Sequence, residues 1–339
     1  MPASGDDFTA EQRVAELEEA GRRLQRQVAA AKAKTTELVE AVYRGAHDAA
    51  LVAGVPAPVA KPKADRRKGG EVALLHLTDT HVGAVTPTYN TEVARRRIQQ
   101  TVSKTITLTN IQRADHPVDE CVVMLGGDLI EQTAQFPNQA WGVDSSTFDQ
   151  VFTAASFISE ALLTLLAHFQ SVTVYSVPGN HGRVGKGKGR QSVEYESDTN
   201  WDSIVTRIMR EQMVGQERLS WFAGEWYQVV EIGEYRALLH HGDTIRGFGG
   251  NIPAYGILRK HLSWAAGVMP GFDDAYLGHF HIPMTLPLTN GKGRVFVTPS
   301  LVSDSAYAKE WVAATSVPAQ RLHFVHPKRG VTGEFLLWV

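Results

Sequence analysis

The sequence has 339 residues, of which 43% are hydrophobic, enough for one large domain with an appendage or for two ordinary domains. Its 34 lysines and arginines against 36 acidic residues give a net charge of −2, which excludes a strongly basic chain that binds nucleic acid through a global positive field. The single cysteine, Cys121, excludes a disulfide framework.

The amino-terminal residues lack the basic and apolar regions of a secretory signal. No run of about 18 apolar residues occurs anywhere in the sequence. We therefore expect a soluble, cytoplasmic protein without a membrane span.

The first predicted element is a long helix from about Thr9 to Ala50, a stretch without proline and with only Gly21 and Gly45 as weak points. Residues at an average spacing of 3.5 form an imperfect coiled-coil seam, which consists of Val14, Leu17, Gly21, Leu24, Val28, Ala31, Thr35, Leu38 and Val42. Three interpretations stay open: self-association or partner binding, packing against the protein's own domain, and a solvated helix.

A proline-rich basic stretch follows from Val55 to Gly70, with three prolines and five lysines and arginines. Its composition predicts a semi-rigid linker, which is usually solvated but could touch a nucleic-acid backbone. We therefore divide the chain into a helical segment (1–54), a linker (55–70) and a main domain (71–339).

The main domain alternates short apolar runs with helical stretches, which is typical of α/β architecture. Strands are predicted at 72–78, 120–125 and 172–177, and helices at 92–110 and 152–169. Further strands, with fewer helices between them, indicate a second sheet and are expected at 226–232, 235–240, 275–277, 294–298 and 334–339. Polar residues repeatedly follow the ends of these strands, where ligands bind in open α/β sheets.

Five short motifs lie at these strand ends. They are Asp79-Thr80-His81, Gly127-Asp128-Leu129-Ile130-Glu131, Gly179-Asn180-His181, His241-Gly242 and Gly278-His279-Phe280-His281. Each motif alone is most often a turn or loop. Together, and in this order, they predict a metal site.

The residue types themselves suit a pair of metal ions. Mixed oxygen and imidazole ligands favour Mn, Fe or Zn over the all-oxygen sites of Mg and Ca, and a carboxylate has two oxygens with which to bridge two ions. His279 and His281 would point to one face of an extended segment, because residues i and i+2 of a strand do so. Gly278 would leave room for the backbone to approach.

In this order the motifs resemble those of the calcineurin-like metallophosphoesterases, over about Val72 to Val339. The resemblance implies a four-layer α/β sandwich, two mixed β-sheets flanked by helices, here with the long N-terminal helix or coiled coil added. The layout is most similar to phage and bacterial members of the DNA repair exonuclease type.

Carried over to this chain, the resemblance implies two metal sites that share Asp128. One ion would be held by Asp79, His81, Asp128 and His281. The other would be held by Asp128, Asn180, His241 and His279. Two divalent ions about 3.5 to 4 Å apart would activate a bridging hydroxide for attack on phosphorus. Mn is the metal we expect, with Fe or Zn as alternatives.

The resemblance also places His181 beside the scissile bond, where it would donate a proton to the leaving oxygen. Glu131 would orient His181, or would be a surface carboxylate. One departure from the family is Gly182, which stands where an acid usually follows the Asn-His pair. His240 is expected to be an ordinary strand residue, and His76 a core residue or one that supports the site.

Cationic residues follow the proposed acid in a glycine-rich stretch and could grip phosphates, namely Arg183, Lys186, Lys188 and Arg190. The alternative is a surface loop with solvated charges. We therefore expect a metal-dependent phosphodiesterase, with DNA as the leading substrate. The other hypotheses are a phosphoesterase acting on nucleotides or other small phosphate esters, and a coiled-coil scaffold with a vestigial metal site.

Overall fold

The computed structural model of the protein describes residues 10–65, 67, 69–134, 139–184, 199–223, 225–245, 253–288, 293–304 and 317–339. The helices in these ranges are α1 (Ala10–Ala53), α2 (Thr91–Gln112), α3 (Thr147–Leu166), α4 (Trp201–Gln212) and α5 (Ala254–Ser263). The strands are β1 (Val72–Leu77), β2 (Glu120–Leu125), β3 (Ser171–Ser176), β4 (Leu219–Ala223), β5 (Tyr227–Ile232), β6 (Tyr235–His240), β7 (Asp274–Leu277), β8 (Met284–Pro287), β9 (Arg294–Val297), β10 (Ala319–His326) and β11 (Gly330–Trp338).

The strands form two mixed sheets. The first has the order β11-β10-β1-β2-β3-β4, in which β1 to β4 are parallel and β10 and β11 antiparallel. The second has the order β5-β6-β7-β9-β8, with β6, β7 and β9 parallel between antiparallel edges. This confirms the α/β class with two mixed sheets flanked by helices.

The core fills both sides of the first sheet. All six residues of β1 are buried, which explains why five of them are apolar, since parallel strands are covered on both faces. Leu74 and Met124 lie in the core between the two sheets with Tyr276 and Phe296. Alternate residues such as Leu75 join the core that contains the helices.

The parallel strands around β1 agree with the predicted segments within a residue or two, and so do β5, β6, β7 and β9. Elements that the sequence analysis did not predict are β4, β8, β10, α4 and α5. In the described ranges, no helix has both the length and the apolar character needed to cross a bilayer.

Helix α1 packs against the main domain through its C-terminal half. Val39 and Ala46 are buried in the core, Val42 packs beside them, and the Tyr43 hydroxyl donates to Glu211 Oε1 of α4 at 2.9 Å. Leu38 of the predicted seam is 44% exposed. The side chains of Val14, Leu17, Leu24, Val28, Ala31 and Thr35 lie outside the described set. A coiled coil or self-association through α1 therefore stays a prediction.

The stretch after α1 is tied to the main domain by side chains near β4. Gln216 accepts from Val59 N at 3.1 Å and donates to the carbonyls of Pro56 and Ala57 at 3.0 Å. Arg218 donates to Val59 O at 2.9 Å. The predicted linker is thus irregular backbone held along the surface in this part, and the division into domains stays a prediction.

Candidate metal centre

The five motifs meet where the parallel strands of both sheets end. Asp79 and His81 follow β1, Asp128 follows β2, and Asn180 and His181 follow β3. From the second sheet, His241 follows β6, and His279 and His281 follow β7. These carboxyl edges face each other, so residues up to about 200 positions apart in the chain come into contact.

One cluster combines Asp79, His81 and His281, whose candidate ligand atoms all lie within 4.8 Å of one another. His281 Nε2 is 3.1 Å from Asp79 Oδ1 and 3.1 Å from His81 Nε2. His81 Nε2 is 3.8 Å from Asp79 Oδ1. The three side chains named here are thus placed to hold one ion.

A second cluster combines Asp128, His241 and His279 within the same 4.8 Å limit. His241 Nε2 is 3.0 Å from Asp128 Oδ2 and 3.1 Å from Asn180 Oδ1. The rings of His241 and His279 lie 5.1 Å apart.

Asp128 lies between the two clusters. Its Oδ2 is 3.0 Å from His241 Nε2 and 4.0 Å from His81 Nε2, while its Oδ1 accepts the backbone N–H of His181 at 2.7 Å. It is 1% exposed. This is the position that a bridging carboxylate would need.

The hydrogen bonds of His241 show that a cation fits the second cluster. Its Nδ1 lies 2.8 Å from the carbonyl of Gly126, and because a carbonyl only accepts, Nδ1 is the donor. Nε2 then faces oxygens of Asp128 and Asn180, which also carry lone pairs. A proton on Nε2 or a metal ion can satisfy this set of atoms, and the fixed Nδ1 orients the ring for either.

Asp128 and His241 stabilise each other's charged forms, as the shifts of their pKa values indicate. Burial raises the pKa of Asp128, but the neighbouring charge of His241 outweighs it and holds that pKa well below the ordinary aspartate value. Burial lowers the pKa of His241, and the carboxylate of Asp128 reverses this and raises it to about 10. Burial and the charge of His241 lower the pKa of His279 to about 4, so this imidazole is neutral at pH 7 with a lone pair to offer.

The backbone is strained at the candidate ligands. Among the described non-glycine residues, the left-handed region is occupied by Asp79, His81, Asp128, Gln132, His279, His281 and Asp304, with φ between 41° and 66°. Five of these seven are candidate ligands. Few non-glycine residues adopt this conformation, and such strain clusters at functional sites because the surroundings enforce it.

Gly278 allows the close approach expected from the sequence. A Cβ atom here would lie 1.9 Å from Asp79 Oδ2, and the next backbone N–H, of His279, donates to both oxygens of Asp79 at 3.1 Å. The extended conformation expected for the His279-Phe280-His281 segment was wrong, however. His279 and His281 have φ of 64° and 57°, so they are not on an extended strand, and the turn sends each to a different cluster.

Glu131 contacts two histidines of the centre. Its Oε2 is 2.7 Å from His81 Nδ1 and 3.4 Å from His181 Nδ1, and its carbonyl lies 2.9 Å from His181 Nδ1. The carboxylate therefore holds His81 most closely, and the backbone oxygen is the nearer partner of His181. Gln139 donates to both the carbonyl and the carboxylate of Glu131, at 2.7 and 2.9 Å.

The glycine at position 182 has a steric reason in this chain. A Cβ atom at Gly182 would lie 2.0 Å from Asn200 Oδ1. Asn200 cannot easily move, because its amide donates to Gly179 O at 2.8 Å and its Oδ1 accepts from Asp202 N at 2.8 Å at the start of α4. The space that a side chain at position 182 would use is thus occupied.

We expect Gly182→Ala to lower the free energy of unfolding by about 1 to 3 kcal/mol, the usual cost of forcing an extra group into a packed site. Urea denaturation followed by circular dichroism measures this. Gly45→Ala is the control, since no atom lies within 4 Å of its Cβ and helical alanine is favoured. An unchanged unfolding free energy for Gly182→Ala would contradict the packing described above.

Several supporting residues were missed by sequence reasoning. Gln320 on β10 accepts from Thr78 N at 2.7 Å, and the Ser300 hydroxyl donates to Asp79 O at 2.8 Å, so both fix the backbone at Thr78 and Asp79. Asp202 on α4 accepts the backbone N–H groups of Asp128 and Leu129. These residues pair with backbone atoms far away in the chain, and no local motif marks such contacts.

Two further histidines lie in the core. His240 is a buried strand residue as predicted, with Nε2 2.9 Å from His261 Nε2. His76 is buried with Nδ1 2.8 Å from Thr298 Oγ1, and burial lowers its pKa to about 3. Neither belongs to a metal-type cluster in the described residues.

Of the predicted phosphate-binding residues, Arg183 is described. Its guanidinium forms an ion pair with Asp243, two residues after His241, and so joins the loops that follow β3 and β6. Lys186, Lys188 and Arg190 lie outside the described residues.

Comparison with known sequences gives one curated relative at low identity. No family model matches the sequence. The SPbeta prophage-derived uncharacterized protein YonJ of Bacillus subtilis (strain 168) is 22% identical over 247 residues, which cover 71% of this chain. This chain spans 57% of the length of that relative.

Several solved structures are similar to the chain over most of its length. A conserved protein of Streptococcus pneumoniae TIGR4 described as a predicted phosphoesterase matches 79% of this chain and 98% of its own, at 13% identity and a TM-score of 0.29. Vacuolar Protein Sorting 29 of Cryptosporidium parvum matches 79% of this chain and 99% of its own, at 14% identity and a TM-score of 0.38. A purple acid phosphatase from yellow lupin matches 83% of this chain and 55% of its own, at 12% identity and a TM-score of 0.34. At TM-scores below 0.5 these likenesses carry no weight for the activity, which has to be inferred from the site.

Proposed function

We propose that this protein hydrolyses phosphoesters with a pair of divalent metal ions, and that its substrate is a phosphodiester, with DNA as the leading class. The observation that carries the proposal is the place of Asp128 between two clusters of carboxylate and imidazole groups. Because a carboxylate has two oxygens, one that is shared by two such clusters could bridge the two ions of a two-metal centre.

We propose Mn²⁺, with Fe or Zn as alternatives, because each set of candidate ligands combines two imidazoles with two oxygen donors, whereas Mg²⁺ and Ca²⁺ sites are typically built from oxygens alone. We assign the first ion to Asp79, His81, Asp128 and His281, and the second to Asp128, Asn180, His241 and His279. When bound, such a pair supplies Lewis acidity to the phosphoryl oxygens and lowers the pKa of water.

His181 is proposed as the proton donor to the leaving oxygen. Its Nδ1 donates to the carbonyl of Glu131 at 2.9 Å, which orients the ring, so the exchanged proton would be carried by Nε2. Its candidate ligand atom also lies within 4.8 Å of those of His81 and Asp128, as a group acting at the reacting centre must. Glu131 would act on His81 through its carboxylate and on His181 through its carbonyl.

Phosphate binding is proposed for Arg183, because its ion pair with Asp243 holds a guanidinium beside the loop of His241. Lys186, Lys188 and Arg190 would extend this cationic stretch. With a net charge of −2, the protein would meet a polyanion only at such a local patch.

The decisive experiment uses purified full-length protein, stripped of metal and then supplied with Mn²⁺. It is assayed on bis-p-nitrophenyl phosphate, on p-nitrophenyl phosphate, and on end-labelled single- and double-stranded DNA. We expect metal-dependent cleavage of the diester in preference to the monoester, and cleavage of at least one form of DNA.

Cleavage of the diester without cleavage of DNA would contradict the nuclease assignment and favour a phosphoesterase of small molecules. Preference for the monoester would contradict the diesterase assignment. No hydrolysis of any of these substrates, with Mn²⁺ bound, would favour the scaffold hypothesis.

A further inference from the structure

The carboxylate of Asp202 lies between two loops of the candidate metal centre. It is completely buried, and it accepts the backbone N–H groups of Asp128 at 2.8 Å, of Leu129 at 3.0 Å and of Gly179 at 2.8 Å. The first two donors belong to the loop after β2 and the third to the loop after β3. One side chain thus links the bridging aspartate to the loop of Asn180 and His181.

The cap of helix α4 does not account for this carboxylate. Asn200 is the N-cap residue, and its side chain already accepts from the backbone N–H of Asp202. The carboxylate oxygens of Asp202 instead point away from the helix and toward the two loops. The positive end of the helix dipole favours a negative charge at this first turn. The helix therefore presents a carboxylate to the loops.

The link reaches the donor atoms through short paths. The backbone of Asp128 is fixed by Asp202, and Asp128 Oδ1 in turn accepts the N–H of His181 at 2.7 Å. Gly179 directly precedes Asn180, so its N–H bond to Asp202 fixes the backbone from which the Asn180 side chain extends. A shift of Asp202 would move groups assigned to both metal positions.

Burying a second carboxylate beside Asp128 is unfavourable, since like charges repel and both lose hydration. An apolar side chain would leave three backbone N–H groups buried without partners, and an amide could not accept from all of them without turning its own N–H₂ toward one. A carboxylate is thus the side chain that satisfies all three donors.

We infer that Asp202 is a positioning residue of the metal centre, which holds the loops of Asp128 and Asn180 at the separation that a pair of ions needs. The inference rests on the proposed function, and it concerns metal binding before any chemistry. Partners that orient metal ligands from outside typically contribute about 10- to 100-fold to metal affinity.

The test compares Mn²⁺ binding by isothermal titration calorimetry for the full-length wild type, Asp202→Asn and Asp274→Asn. Asp274 is the matched control, a buried carboxylate that accepts from Arg294 N at 2.8 Å and Tyr235 Oη at 3.0 Å at the opposite end of β7. We expect Asp202→Asn to weaken Mn²⁺ binding about 10- to 100-fold, and Asp274→Asn to bind as the wild type does. Circular dichroism establishes that each variant is folded at the assay temperature.

Wild-type Mn²⁺ affinity in folded Asp202→Asn would overturn the inference, and so would an equal loss in Asp274→Asn. If Asp202→Asn does not fold, Asp202→Glu takes its place. Glutamate keeps the negative charge, but its extra methylene shifts the carboxylate, so all three hydrogen bonds cannot be kept. Unchanged affinity in that variant would also overturn the inference. A wild type that binds Mn²⁺ but hydrolyses nothing would contradict the proposed function and leave this test intact, whereas one that binds no Mn²⁺ would contradict both.

Discussion

Asp128→Asn is expected to lower metal-dependent hydrolysis by well over a hundredfold, since even the loss of an outer partner of a metal ligand can cost about that much. The substitution preserves the shape of the side chain and the oxygen that accepts from His181 N. It removes the negative charge and the second oxygen, which faces His241 Nε2 at 3.0 Å and His81 Nε2 at 4.0 Å. Initial rates on bis-p-nitrophenyl phosphate at saturating Mn²⁺ measure the effect.

Asp274→Asn serves as the control here too, because it removes a buried carboxylate at the far end of β7. We expect this variant to keep wild-type rates. If Asp128→Asn retained metal-dependent activity near that of the control, Asp128 would not be shared by two ions.

His181→Gln is expected to lower kcat about 10²- to 10⁴-fold on a dinucleotide, whose leaving alkoxide needs a proton, and far less on bis-p-nitrophenyl phosphate, whose nitrophenolate leaves without one. The reason is the position of His181, with Nδ1 held by the Glu131 carbonyl and the ring beside His81 and Asp128. Steady-state kinetics on both substrates, with the same enzyme and Mn²⁺ concentration, give the ratio.

Equal losses on the two leaving groups would contradict the assignment of His181 as proton donor. Equal losses would indicate instead that His181 helps to hold a metal ion. Its candidate ligand atom lies within 4.8 Å of those of His81 and Asp128, which permits that role. Calorimetric titration with Mn²⁺ separates the two roles, because a proton donor can be replaced with little change in metal affinity.

Much of the site could be predicted because its residues lie directly after buried parallel strands. Gly, Asp or His follows within three residues of the ends of β1, β2, β3 and β7. Parallel pairing brings the ends of β1, β2 and β3 to one edge of the first sheet, and the end of β7 lies at the facing edge of the second sheet. Burial on both faces makes these strands rich in apolar residues, which helps to single them out in a sequence.

The parts that escaped prediction depend on distant contacts or weak local patterns. Strand β4 is an edge strand with mixed exposure, so its pattern is neither an apolar run nor a clean alternation. Asp202 acts on backbone groups more than 20 residues away, which no spacing in the sequence reveals. The His279 and His281 pair was found, but its left-handed backbone was not, because tertiary contacts with Asp79 impose it.

The most direct test of the central claim is a crystal structure of the protein grown with Mn²⁺, in which anomalous scattering locates the ions. We expect two anomalous peaks about 3.5 to 4 Å apart, as in other two-metal centres, with the carboxylate of Asp128 between them. A single peak, or a pair that does not share Asp128, would contradict the proposed centre.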